Sequence, residues 1–334
     1  MIIAKTPLRV SFFGGGSDLP AFTDREDGAA LSVSIDKFVY VILHETTKNI
    51  RFLHEEIEQV YNIMQMRNKI VSNALTYHDI DKGLDIVSLS DVPSVGSGLG
   101  GSSAFTVGLC AALLKHRWPV AEYTNEQFAQ EAVRIEIDYC HFPIGIQDQY
   151  ATAVGGFNLW KFFSKSRRAE ITKKFYKWPE CQPLEERLLL VHSGLQRVGS
   201  AGSILQEQQS ALQSDEAKFQ IMQSIRDRTY QGAELLEKGL LDRFGALLHD
   251  NWIDKKTLSH SLSDKRFDEL YDKALDMGAL GGKLLGAGGG GFFLFYIPEY
   301  IDKIQFGQEL TEEYPTAKVF PFKFHYTGTE LTHV

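Results

Sequence analysis

Residues 93–104 read Pro93-Ser94-Val95-Gly96-Ser97-Gly98-Leu99-Gly100-Gly101-Ser102-Ser103-Ala104, and the rest of the chain has to be arranged around them. Upstream, Leu84 to Val92 is a strand candidate that Pro93 ends. Downstream, Ser102 to His116 reads as a helix that is apolar on nearly every side (Ala104, Phe105, Val107, Leu109, Cys110, Ala112, Leu113, Leu114). A helix of that kind belongs in the centre of a fold. Strand, glycine loop and buried helix in succession put consecutive backbone N–H groups at a helix N-terminus, where unpaired donors and the helix dipole can hold an anion. Ser102 and Ser103 fall at that terminus and can either cap the helix or ligate a metal ion. A tight turn with two capping serines is the plainer reading of the same residues.

Working outward, the 29 glycines of this 334-residue chain concentrate in two further patches, Gly14-Gly15-Gly16 and Gly286-Ala287-Gly288-Gly289-Gly290-Gly291. Glycine runs cost backbone entropy, so a folded chain keeps them where backbone turns sharply or approaches a ligand. Lys5 to Phe13 reads as a strand entering the first patch, and alternation over Ala30 to His44 predicts another. Thr124 and Gln127 have capping-box spacing and open a predicted helix to Tyr139. Pro143 and Gly145 force a loop that carries Asp148, and Ala153 to Phe162 resumes as strand. The polar stretch Tyr176 to Arg187 marks the domain boundary, giving units 1–183 and 184–334. Leu188 to Val191 starts the second unit as a buried strand. Helices follow at Ser214 to Lys238, Leu241 to His249 and Asp264 to Met277. The third glycine patch joins Lys283-Leu284-Leu285 to Phe292–Ile297, and a helix over Glu299 to Tyr314 and a strand over Ala317 to Tyr326 close the chain. Strands and helices mix without strict alternation, so the fold class is α+β.

Composition excludes several classes. Hydrophobic residues at 43% and charged residues at 23% exclude a disordered chain. Three cysteines, widely spaced and without CxxC, exclude a disulfide scaffold and a cysteine-rich zinc site and suit a reducing cytoplasm. No run reaches membrane-spanning length and no secretory signal is visible, so the expected location is cytoplasmic. Thirty-five Lys and Arg against 43 Asp and Glu give a charge of −8, which argues against nucleic acid and membrane as partners. The chain is compatible with a homodimer without requiring one.

Two carboxylates and one arginine stand out. On the helix from Thr124, Phe128, Ala132, Ile135 and Tyr139 share an apolar face, and Glu136 projects within it. A carboxylate there needs a cation, strong donors or a shifted pKa, so metal ligation and a structural Arg or Lys partner are the two solutions. Arg9 alternates with apolar neighbours before the first glycine patch, which turns it toward a polar interior or cleft; a surface arginine on an edge strand is the alternative. The string Gly96-x-Gly98-x-x-Gly101 also matches the dinucleotide fingerprint, with Glu122 at the acidic offset. That match leaves the other glycine patches unexplained. A Walker A loop is absent, because Gly281-Gly282-Lys283 is followed by leucine.

Together these residues resemble the three motifs of the GHMP small-molecule kinases (galactokinase, homoserine, mevalonate and phosphomevalonate kinases). Residues 7–18 (PLRVSFFGGGSD) resemble motif 1, residues 93–104 resemble the phosphate loop of motif 2, and residues 283–291 (KLLGAGGGG) resemble motif 3. Residues 145–149 (GIQDQ) are similar to the segment that holds the catalytic aspartate in galactokinase-like members. The order and spacing fit across essentially the whole chain.

The resemblance implies a two-domain fold, an N-terminal ribosomal-protein-S5-domain-2-like unit followed by a C-terminal ferredoxin-like α/β sandwich. It implies phosphoryl transfer from ATP, with Mg²⁺, to the hydroxyl of a small-molecule sugar. Within the family, the GGGSDLP form of motif 1 and the SGLGGSSA form of motif 2 look most like members acting on D-glycero-D-manno-heptose 7-phosphate at its anomeric hydroxyl, in GDP-heptose and surface-glycan synthesis. Galactokinases carry Glu-His at Gly15-Gly16, which points away from galactose. By the same resemblance Gly96, Ser97, Gly98, Leu99, Gly100, Gly101, Ser102 and Ser103 cradle the ATP phosphates. Ser102 and Glu136 hold Mg²⁺, with Ser103 the alternative hydroxyl. Asp148 takes or holds the acceptor hydroxyl proton and Arg9 steadies developing charge. Gly15, Gly16, Ser17, Asp18, Lys283, Gly288 and Gly289 face the substrate. Arg197 and the pair Lys255-Lys256 are candidates for the substrate's own phosphate, since an acidic protein must concentrate positive charge where it binds anions. Another sugar, such as fucose, and a non-catalytic sensor are the competing readings; a sensor would lack the metal and base positions, which are present here.

Overall fold

A computed structural model describes residues 1–93, 96–176, 181–195 and 199–333. The chain opens with β1 (Ile2–Phe13), α1 (Pro20–Thr23) and β2 (Gly28–Glu45), then a hairpin of β3 (Ile50–Leu53) and β4 (Ile57–Val60), α2 (Lys69–Tyr77) and β5 (Leu84–Ser90). Next come α3 (Gly101–Arg117), α4 (Asn125–Val133) running on as a π-helical turn (Arg134–Tyr139), α5 (Gln147–Val154) and the hairpin β6 (Phe157–Phe162) and β7 (Ala169–Phe175). The second half holds α6 (Gln182–Arg187), β8 (Leu188–His192), α7 (Ala201–Ser214), α8 (Glu216–Glu237), α9 (Leu241–Thr257) and α10 (Lys265–Asp276). It ends with β9 (Gly281–Leu284), β10 (Phe292–Tyr296), α11 (Lys303–Glu313), β11 (Lys318–Phe320), β12 (Phe324–His325) and β13 (Glu330–His333).

The first sheet is built on β2. β1 pairs with it antiparallel along its whole length, with an irregularity between Pro7 and Leu8 that leaves Asp36 and Lys37 unpaired. Pro7 has no N–H to give a ladder, and a bulge is where a strand tolerates it. On its other edge β2 takes β6 along residues 28–33, β12 at Ser34 and Ile35, and β5 along residues 39–45. The second sheet has the order β11-β8-β10-β9, all antiparallel. With helices between β8 and β9 and α11 between β10 and β11, that is the ferredoxin-like arrangement, and the expected α+β class is present. A division at 183/184 parts the two sheets except at the end of the chain, where β12 pairs with β2 and β13 with β1.

Helix α3 is the centre of the first unit. It lies against β1, β2, α4 and α5, and Ser103 to Leu114 are all buried. Each large aliphatic side chain so buried contributes about 1.5–3 kcal/mol, which explains why the helix carries no polar face until Lys115, His116 and Arg117. Those three stand in its last turn, where they complement the dipole.

Two local expectations are corrected. The loop expected around Asp148 is the start of α5, and Ala153 and Val154 end that helix instead of beginning a strand. Nearly every residue of α5 is buried, Gln147 and Gln149 included, so no polar/apolar period marks it. The helix from Thr124 has the expected capping box, but α-helical winding stops at Val133. The π turn that follows bonds Cys140 N–H to Ile135 O at 2.9 Å. Wider winding turns Tyr139 off the apolar face, so it is 43% exposed, whereas Glu136 is completely buried.

Candidate active site

The second and third glycine patches meet, and the first faces the cavity beside them. Gly98 has φ +77° and Gly286 φ +70°; a Cβ on Gly98 would lie 2.4 Å from Leu285 O, and one on Gly286 would lie 2.5 Å from Gly98 Cα. Only glycine permits either the conformation or the approach. The Phe292 N–H donates to Ser97 O at 3.1 Å, joining the loop before α3 to the β9–β10 turn. Beside this seam lies a cavity of about 420 Å³ whose wall includes Arg9, Gly15, Gly16, Asp18, Ser102, Ser103, Glu136, Asp148, Lys255, Lys283 and Gly286. A second cavity, about 180 Å³ and mostly apolar (Val39, Phe52, Ile70, Phe105), shares Ser97, Gly101 and Ser102 with the first.

Arg9 enters from β1 beyond the Ile2–Lys5 stretch that pairs with β13, with β2 on one side and Leu99 O accepting from its N–H on the other, and is 3% exposed. Burial therefore excludes the reading of this residue as a surface arginine. Its guanidinium grips Asp148 in both directions, Nε to Oδ1 at 2.8 Å and Nη2 to Oδ2 at 2.7 Å, while Nη1 donates to Gly98 O at 2.7 Å. A fork of this kind fixes the carboxylate plane. Asp148 sits in the first turn of α5 and keeps a third of its side chain open. Asp18 holds the entry to the same helix: its Oδ2 accepts from the Gln147 N–H at 2.9 Å and its Oδ1 from the Gly16 N–H at 3.1 Å. A Cβ at residue 145 would strike Asp18 Oδ2 at 1.9 Å, so Gly145 is what lets the carboxylate reach under the loop. Burial pushes the Asp18 carboxyl above its usual range, a tendency its two backbone donors oppose and nearby Asp148 reinforces.

Glu136 is ringed by neutral partners. Ser103 Oγ and Thr106 Oγ1 donate to it at 2.9 Å, Gln149 Nε2 at 2.5 Å and Ser102 Oγ at 3.3 Å. Burial pushes its pKa up to about 7, against the lowering effect of these donors. The structural Arg or Lys partner is thus not what Glu136 has found. The amide oxygen of Gln149 is buried with no hydrogen-bond partner beside it. A buried carboxylate with only neutral hydrogen-bond partners, serine hydroxyls and an orphaned amide oxygen form an all-oxygen donor set that fits a hard divalent ion. Among the described residues no group of three or more His, Cys, Asp or Glu could hold a metal unaided. Such an ion would need ligand oxygens and water. Of the two serines, Ser102 is exposed and Ser103 buried.

The remaining expected residues divide. Lys283 reaches the cavity wall but its Nζ donates to Ser11 O and Phe12 O, both at 2.9 Å. Its pKa is pushed well down by burial, then by Lys255 and Arg9. Lys255 lines the cavity and Lys256 does not; Lys256 pairs with Asp268 at 3.1 Å. Gly96, Ser97, Gly98, Gly100 and Gly101 line the cavity, whereas Leu99 is buried behind them, its carbonyl accepting from the Arg9 N–H at 3.0 Å. Ser17 is buried with its hydroxyl on Gly14 O and Ala29 O, so it shapes the first glycine turn from inside. Gly288 and Gly289 lie off the cavity wall, the latter's N–H on Leu262 O; Gly286 and Ala287 take their place there. Arg197 lies outside the described residues. Sequence reasoning missed Thr106 and Gln149, both on Glu136. Thr106 stands four residues after Ser102, on the same helix face, and that spacing was the available signal. It also missed Ala201, Gly202 and Leu205 of α7, whose Gln- and Ser-rich composition offers none.

Comparison with known proteins identifies a family. Residues 60–156 match the family model described as GHMP kinases N terminal domain, and residues 233–316 that described as GHMP kinases C terminal, more than half of the chain between them. The D-glycero-alpha-D-manno-heptose 7-phosphate kinase of Campylobacter jejuni is 29% identical over 315 residues, 89% of each chain. The bifunctional fucokinase/GDP-fucose pyrophosphorylase of Arabidopsis thaliana is 26% identical over 92% of this chain and 31% of that protein. In fold, the chain is similar to a D-glycero-D-manno-heptose 1-phosphate kinase from Bacteroides thetaiotaomicron, with TM-score 0.80, 22% identity, and coverage of 100% and 99%. No helix is long and apolar enough to cross a membrane among the described residues.

Proposed function

The chain belongs to the GHMP kinases and is a sugar kinase, and from that premise we propose that it phosphorylates the anomeric hydroxyl of D-glycero-D-manno-heptose 7-phosphate with Mg·ATP. The product, a heptose 1,7-bisphosphate, would feed GDP-heptose and surface-glycan synthesis. The observation that carries the proposal is one cavity wall holding a buried carboxylate with only neutral partners, Glu136, and a second carboxylate clamped by arginine, Asp148. The choice of sugar is supported by the Campylobacter jejuni relative and by Gly15-Gly16, which present no side chain to the cavity.

The apolar second cavity suits a nucleotide base, with the phosphates running over the backbone from Gly96 to Ser103. Ser102 and Glu136 would hold Mg²⁺, which when bound neutralises charge on the nucleotide phosphates. Arg9 holds Asp148 in one orientation, so its open edge accepts a hydrogen bond from the acceptor hydroxyl and takes the proton as the new O–P bond forms. Asp18 keeps α5, and with it Asp148, in place. The seam between Gly98 and Gly286 packs the back of the loop against the β9–β10 turn.

The test is an acceptor panel of heptose 7-phosphate, unphosphorylated heptose, galactose and L-fucose, with ADP formation measured and the product position fixed by NMR. The heptose phosphate should be turned over with the highest kcat/KM and gain its phosphate at C1. Equal turnover of galactose would sink the choice of sugar, and a preference for L-fucose would favour the fucokinase-like reading.

A further inference from the structure

Three buried basic side chains reach the cavity, and two of them are already engaged. Arg9 donates through Nε, Nη1 and Nη2 to Asp148 and Gly98. Lys283 donates to two carbonyls of β1. Lys255, on α9, is 5% exposed and donates to a single partner among the described residues, Gly286 O at 2.8 Å. An ammonium has three N–H bonds, so two of its donors have no protein acceptor there. We infer that Lys255 is a catalytic residue that holds the phosphoryl group in flight between nucleotide and sugar, and is not an anchor for the sugar's own phosphate. The inference rests on the kinase reading.

Position supports it. Gly286, which orients the ammonium, stands against Gly98, and Gly98 O is the acceptor that Arg9 Nη1 uses. Lys255 and Arg9 therefore converge on the middle of the glycine loop, on the side where Asp148 lies. A group that anchored the far phosphate of a seven-carbon sugar would stand at the other end of the acceptor. In the transfer, an acceptor lone pair forms the new O–P bond, the bond from Pγ to the β–γ bridging oxygen breaks, and ADP leaves with that pair. The hydroxyl proton passes to Asp148. Lys255 keeps its protons and donates to the equatorial phosphoryl oxygens, where charge is concentrated in the transition state.

Burial and the Arg9 charge bring the Lys255 pKa down to about 8, while Asp18 and Asp148 oppose the shift; Lys283 is the further basic group nearby. The cationic form is the one that serves, so kcat/KM, which reports the free enzyme, should fall on an alkaline limb near pH 8, and bound nucleotide phosphates should carry the corresponding limb of kcat to higher pH.

The experiment compares wild type, Lys255→Met and Lys255→Arg at saturating ATP across pH 6–10. Methionine matches the apolar stem, and the arginine variant with its circular dichroism spectrum guards against a folding defect. Lys255→Met should lower kcat on the order of 100-fold while KM for both substrates moves by less than about threefold. Lys255→Arg should recover part of kcat and carry its alkaline limb to higher pH. A Lys255→Met kcat within about threefold of wild type overturns the inference. So does a loss confined to KM for the phosphorylated acceptor, which would make Lys255 an anchor. Wild-type protein that transfers nothing from ATP to any sugar overturns the kinase reading itself, and is read before either variant.

Discussion

Glu136→Gln should make the protein more stable and inactive at once. The carboxyl is completely buried, has only neutral hydrogen-bond partners and is pushed, by burial first and in lesser part by the Asp148 charge, from an ordinary 4.5 up to about 7. Because the folded value lies above the unfolded one, the contribution of this group to stability is fully present below pH 4.5. It is lost as pH rises through about 7. The displacement corresponds to about 3 kcal/mol between those limits. An uncharged glutamine does not titrate, and the hydroxyls of Ser103 and Thr106 can rotate to accept from its amide. At pH 8 without metal, Glu136→Gln should therefore exceed wild type by about 3 kcal/mol, or about 4 °C in Tm for a chain of this length. At pH 4.5 the two should coincide. Thermal melts from pH 4.5 to 8.5, with and without Mg·ATP, read the effect. Mg·ATP should raise the wild-type Tm most at alkaline pH and leave that of the variant little changed, and kcat should fall on the order of 100-fold or more. A variant that is less stable than wild type at pH 8, or that keeps its metal-dependent stabilisation, refutes the account of Glu136 as an acid awaiting a cation.

Other expectations follow from the same geometry. Asp148→Asn breaks the two-point pairing with buried Arg9 and removes the proton acceptor; kcat in a coupled ADP assay should drop on the order of 10²–10⁴-fold, and near wild-type turnover would sink the assignment. Gly98→Ala combines φ +77° with a Cβ 2.4 Å from Leu285 O, so it should destabilise the fold by about 1–3 kcal/mol and weaken nucleotide binding in a fluorescence titration. Gly15→Ala has room, its Cβ meeting Gln147 Oε1 and Ser11 Oγ at 3.6 Å. It should leave stability unchanged to within about 0.5 kcal/mol while raising KM for the sugar, and an unaltered KM would show that the first glycine turn does not touch the acceptor.

Local chemistry was legible without coordinates. The glycine patches had to stand at element junctions, because only glycine accepts left-handed backbone and close contact without strain, and all three do. The long periodic helices, the Thr124 capping box and the unbroken apolar run of α3 could be read because each reports its own burial in its own spacing. A carboxylate projecting among apolar residues, Glu136, was already a chemical anomaly in one dimension. What local spacing could not carry was convergence. Arg9, Gly98, Asp148, Lys255 and Gly286 come from β1, two glycine turns, α5 and α9, and they meet only because the two sheets and α3 pack as they do. The same packing separates Lys255 from Lys256, and Gly286 from Gly288 and Gly289, although neighbours in sequence look alike as ligands. It also makes a helix of residues 147–154, whose burial on nearly all sides erases the period that would have announced it. The return of β12 and β13 to the first sheet is likewise a long-range choice. Strand pairing depends on which edges β1 and β2 leave open, and no stretch of the chain records that by itself.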